Sequence, residues 1–170
     1  MIKLIGAILI TGGMASAGIA AVHKLSARID LIARLLSALE IMQSEICFRL
    51  TPIPEVAEII SKGSRGEVKA MFDIVAEGAK NLGSHSLNTI WGKAVSETCK
   101  LLNPEEMYVV VGLGNSLGRY DSENQVSAIE YVRRRLERCL TDAEAEKKRQ
   151  GRMYGALGLL CGLAVAIIFV

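Results

Sequence analysis

The sequence predicts an all-α protein: a six-helix bundle over residues 23–152, flanked by an N-terminal transmembrane helix (1–22) and a C-terminal one (153–170). Three observations predict it. Through the middle of the chain apolar residues recur at spacings of three and four, and nothing alternates with period two for long enough to form a strand. Only three prolines interrupt 170 residues, of which 51% are hydrophobic and 5% aromatic. Each end also carries a long run without a charged side chain, 19 residues over 4–22 and 18 over 153–170.

At about 1.5 Å per residue either run reaches roughly 27–28 Å as a helix, close to one hydrocarbon core. The second holds nine Leu, Ile, Val or Phe residues; the first holds seven, diluted by Gly6, Gly12, Gly13 and Gly18. A rival reading exists for the first run. Lys3, the apolar stretch 4–10 and Ala15-Ser16-Ala17 have the layout of a cleaved signal peptide, which would leave a secreted helical binding domain with a C-terminal membrane anchor. The apolar character continues past Ala17 through Ile19 and Val22 into a helical pattern, and this favours an uncleaved span. Charge then sets the orientation. Lys24, Arg28 and Arg34 follow the first run, and Arg138, Lys147, Lys148, Arg149 and Arg152 precede the second, against a lone Lys3 on the far side. The positive-inside rule places residues 23–152 in the cytoplasm of a two-pass protein. Of these cations, Lys24, Arg28, Lys147, Lys148, Arg149 and Arg152 are expected at the membrane interface, facing the lipid bilayer.

The first helix of the bundle shows an apolar seam at Leu25, Ile29, Ile32, Leu36, Leu39, Met42 and Ile46, continuous with the first span. It stops at Thr51-Pro52, where Thr51 is placed to cap a second helix and proline is tolerated at the first position. That helix ends in the turn Gly63-Ser64-Arg65-Gly66. Val68, Met71, Phe72, Val75 and Ala79 mark helix three, with Gly83 as its C-cap. Leu87, Trp91, Ala94, Val95 and Leu102 mark helix four. Asn103-Pro104-Glu105-Glu106 combines an N-cap, a proline and a capping-box glutamate, and starts helix five, which is expected to run to Gly118. Asp121 caps helix six, whose face is Val126, Ile129, Val132, Leu136 and Leu140 and which continues unbroken into the second span.

No constellation for chemistry emerges. The two histidines, His23 and His85, and the scattered Cys47, Cys99 and Cys139 lack the spacing of a zinc site; the cysteines read as small core residues. No cofactor is expected. Gly112, Gly114 and Gly118 form a GxGxxxG run with no strand before it and no Gly-Lys-Ser, so it reads as a helix whose glycines admit a close neighbour. The net charge of +2 argues against a nucleic-acid partner. Residues 133–152 hold eight basic and four acidic side chains, a mixed, solvated helix face; residues 35–132 hold eight and 13, a net charge of −5 that offers a partner a negative surface.

The motifs Lys3-Leu4-Ile5-Gly6-Ala7, Leu35-Leu36-Ser37-Ala38-Leu39-Glu40, Glu45-Ile46 and Thr51-Pro52-Ile53 follow one another in order. Leu117-Gly118, Asp121 and Gln125 then fit an LG-x-x-D-x-x-x-Q element. In these the chain resembles the stage III sporulation protein AB family of endospore-forming bacteria, over nearly its whole length; Pro54 departs from the pattern. The resemblance implies a non-enzymatic component of a sporulation channel in the mother-cell membrane facing the forespore, distantly similar to the F-type platform protein of type II secretion and type IV pilus systems. It also implies partners, namely a secretion-type ATPase and other membrane subunits of the channel, and no small-molecule substrate. The residues carried over are Glu40, Glu45, Thr51, Pro52, Leu117, Gly118, Asp121 and Gln125. Capping and packing account for most of them, whereas Glu40, Glu45 and Gln125 are expected to form a polar cluster or docking face between the two long helices.

Overall fold

A computed structural model describes the backbone of residues 2–80, 86–118 and 122–169, and the side chains of residues 20–80, 86–118 and 122–153. The described residues form six helices: α1 (Ile2–Arg49), α2 (Ile53–Gly63), α3 (Gly66–Ala79), α4 (Leu87–Thr98), α5 (Pro104–Leu113) and α6 (Ser122–Phe169). Among the described residues there is no strand. Tyr108-Val109-Val110-Val111, β-prone by composition, is helical because the Asn103 cap starts α5 at Pro104, four residues before the first of them.

The chain divides into two compact units, one of Met1–Ile29 with Thr141–Val170 and one of Asp30–Leu140. In the first, Leu25 and Ala143 are buried. The two expected spans fall on helical backbone, but the side chains of 1–19 and 154–170 lie outside the described residues. Among the described residues no helix is long and apolar enough to cross a membrane.

The second unit has a single core. From α1 it takes Leu31, Ile32, Leu35, Ala38, Leu39, Met42 and Ile46, a broader face than the predicted seam, with Leu36 only partly buried. Burial on two adjacent rows follows from α1 facing several helices at once. From α6 it takes Ile129, Val132 and Leu136. The centre is Trp91 on α4, fully buried. Its ring meets Phe72 of α3 edge-on, centroids 5.8 Å apart at 79°, and its Nε1–H donates to the Val110 carbonyl of α5 at 2.7 Å. One side chain thereby ties three helices together. Gly114 is required beside it, since a Cβ there would lie 2.9 Å from the indole ring and 2.8 Å from Asn88 Oδ1.

Several boundaries differ from expectation. Helix four ends at Thr98, so Leu102 is a buried turn residue. Helix five ends at Leu113, and 114–118 is a run of turns that brings Gly118 into a left-handed conformation at φ 71°. Gly83 and Asp121, the expected caps, lie outside the described residues. Of Cys47, Cys99 and Cys139, only Cys99 is buried; Cys47 is exposed and Cys139 half-buried.

Candidate functional site

The residues singled out from the sequence converge on the place where two chain reversals meet. The first is the α1–α2 turn. Thr51 does not cap α2: the N-cap is Pro52, without a side-chain bond. Pro54 removes one amide N–H that a cap would serve, and Glu55 N–H already reaches the Pro52 carbonyl at 3.0 Å. The Thr51 hydroxyl is therefore free to turn back and donate to Glu45 Oε2 at 3.0 Å. Glu45 is only 9% exposed and also accepts from Arg49 Nη1 at 3.0 Å, while the Thr51 N–H reaches the Glu45 carbonyl at 3.1 Å. One buried carboxylate thus fastens both sides of the reversal, and Leu50 between them is driven to φ 51°.

The second reversal joins α5 to α6. Leu117 is buried in the core, Gly118 takes the left-handed position, and its N–H donates to Gln125 Oε1 at 3.3 Å. Asn88 Nδ2 donates to Asn115 Oδ1 at 3.0 Å, holding the preceding turns to α4. The two reversals line an open depression of about 250 Å³ formed by Ile46, Leu50, Thr51, Pro52, Ile53, Gly118, Ser122 and Gln125. A second depression, about 550 Å³, shares Ile53 and Gly118 and adds Leu87, Asn88 and Leu117.

Glu45, Thr51, Pro52, Leu117, Gly118 and Gln125 are thus brought together. Glu40 is exposed farther back on α1 and does not join them. Periodicity missed the two side chains that stand out most at this end, Phe48 at 83% exposure and Leu50 at 70%. Both fall off the seam, and a large apolar residue off the seam just before a Thr-Pro stop was the available signal. Among the described residues no group of three or more His, Cys, Asp or Glu could hold a metal ion.

The basic residues separate into two groups. Arg133, Arg134 and Arg135 are engaged by protein: Arg133 Nη1 donates to Gln43 Oε1 of α1 at 2.7 Å, Arg134 pairs with Glu130, and Arg135 Nη2 meets Glu105 Oε1 at 2.6 Å. Arg133 and Arg135 thus fasten α6 to α1 and α5, whereas Arg134 pairs within α6 and stays 70% exposed on a solvated face. Lys24, Arg28, Lys147, Lys148, Arg149 and Arg152 all belong to the other unit; Arg28 is half-buried and the rest are exposed.

A family model described as stage III sporulation protein AB matches residues 3–170. Stage III sporulation protein AB of Bacillus subtilis (strain 168) is 26% identical over 170 residues, covering 99% of each chain. A solved structure of stage III sporulation protein AB, also 26% identical, superposes with a TM-score of 0.66 over 72% of this chain and 98% of that one. This is a sporulation family and not a known enzyme family, and its match reaches through the α1–α2 and α5–α6 reversals alike. The chain belongs to the stage III sporulation protein AB family.

Proposed function

We propose that this protein is a non-enzymatic, two-pass component of the channel between mother cell and forespore. In this reading residues 23–152 face the mother-cell cytoplasm and the paired reversals capture the secretion-type ATPase of the same complex. The observation that carries the docking role is the pairing of rigidity with exposed apolar surface. Phe48 and Leu50 stand 83% and 70% exposed beside two open depressions, on turns held by Glu45, Thr51, Gln125 and Asn88. Holding aromatic and aliphatic groups in water on a pre-organised surface is unfavourable alone and favourable once a partner covers them. Residues 35–132 carry a net charge of −5, which suits a partner with a basic face. The uncharged runs 4–22 and 153–170 supply the membrane attachment, and other channel subunits would pack against them.

The test is capture of the ATPase by the full chain and by a Phe48→Ser, Leu50→Gly variant. Glu45 is unsuitable for this purpose, because its removal opens the turn itself. We expect the variant to lose about tenfold or more in affinity, as central apolar anchors do, with unfolding in urea unchanged or shifted to higher concentration. Equal capture by a folded variant would remove the docking role from this end.

A further inference from the structure

α6 carries two kinds of arginine and lysine, and the contrast between them is informative. Arg133, Arg134 and Arg135 each meet a protein partner. Lys147, Lys148, Arg149 and Arg152, all within two turns of the apolar run that begins at 153, meet none among the described residues, and neither do Lys24 on α1 and Arg138 farther up α6. Acidic groups are available nearby: Asp142, Glu144 and Glu146 lie just upstream on the same helix. Glu144 and Lys148 even stand at the i,i+4 spacing that favours an ion pair in this order, yet no such pair forms within 4.0 Å. Glu146 instead accepts from Gln150 Nε2 at 3.0 Å. Charge is thus segregated along the helix, acids first and then four cations within six residues. At 100° per residue those four side chains fan over about half the helix circumference. All are exposed.

We propose that Lys24, Lys147, Lys148, Arg149 and Arg152 form a collar that selects anionic phospholipid headgroups. This deepens the membrane-anchored reading above and rests on it. A phosphodiester needs a point charge and hydrogen-bond donors without a fixed partner of their own, which is what these five side chains offer. An extended fan suits many small headgroups at one level better than it suits a single polyanion, which would need a groove and stacking partners.

The experiment uses the full chain reconstituted with two kinds of vesicle: pure phosphatidylcholine, and phosphatidylcholine with phosphatidylglycerol. Flotation reads membrane association, and spin-labelled phosphatidylglycerol and phosphatidylcholine read the lipid contacting the protein. The expected result is flotation with both vesicles and about a fivefold preference for the anionic spin label at low salt, shrinking as salt rises. A Lys147→Gln, Lys148→Gln, Arg149→Gln, Arg152→Gln variant should float equally and lose the preference. Flotation with both vesicles and no preference in the wild-type chain overturns the collar and leaves the anchoring intact. Flotation with the anionic vesicles alone supports the collar and overturns the anchoring. Flotation with neither overturns both.

Discussion

Leu50 occupies a left-handed backbone position, φ 51°, that suits glycine, and its side chain is 70% exposed. Packing does not repay the strain of placing a Cβ there. Leu50→Gly should therefore stabilise the protein by about 0.5–1 kcal/mol, less than the full left-handed penalty because glycine gains entropy when unfolded. The midpoint of urea unfolding measures this, and a fall in midpoint would refute the strain argument. That selection tolerates a strained, exposed leucine is the residue-scale reason to look for a partner at this turn. Glu45 shows the limit of reading residues one at a time: a glutamate on a helix suggests a solvated face, and only the reversal behind it turns the group into a buried acceptor for Arg49 and Thr51.

At the scale of elements, caps and inter-helix clamps decide where helices start and how they sit. Asn103 accepts from Glu106 N–H, and Glu106 accepts from Asn103 N–H, both at 2.8 Å. Asn103→Ala should cost about 1 kcal/mol and Asn103→Asp much less, read as the shift in urea midpoint at constant slope. Between α2 and α3, Asp73 meets the Ser61 hydroxyl and accepts from Lys69 Nζ at 2.8 Å. The hydrogen bond from Lys69, then that from Ser61, hold the carboxyl below its ordinary pKa. A carboxylate with a depressed folded pKa contributes stability above its ordinary pKa, and that contribution is lost as pH falls through the depressed value. The wild type should thus lose stability on acidification below about pH 4 more steeply than Asp73→Asn does. Because Asp73 is half exposed, the difference is modest. Parallel stability–pH curves for the two proteins would show that the clamp does not act through charge.

For the whole molecule, the division into two units has a direct consequence. Asp30–Leu140 contains Trp91, Phe72 and their neighbours from all six helices in one core. A fragment of residues 30–140 should fold without detergent and unfold in one cooperative step by circular dichroism. In it Cys47 should react at once with a thiol reagent, while Cys99 waits for unfolding, being buried and having a thiol pKa raised by that burial. Immediate reaction of both would mean that the core does not form in the isolated fragment.

Residue spacing alone reveals the helices, the strong start at Asn103, most core positions and the polar residues worth watching, because these depend on contacts within about one helical turn. Its assignment of Thr51 as a cap failed because Pro54 removes one amide a cap would serve and the Glu55 N–H already reaches the Pro52 carbonyl, and because Glu45, six residues back, competed for the hydroxyl. The end of helix five was misplaced for a related reason: glycines at 112 and 114 fit a helix locally, whereas Trp91 and Asn88, more than twenty residues upstream, crowd Gly114 and hold the turns that follow. That the α1–α2 and α5–α6 reversals lie side by side was decided by tertiary packing alone. No local spacing encodes the meeting of residues 45–53 with Gly118, Ser122 and Gln125; it follows from six apolar faces closing on one core.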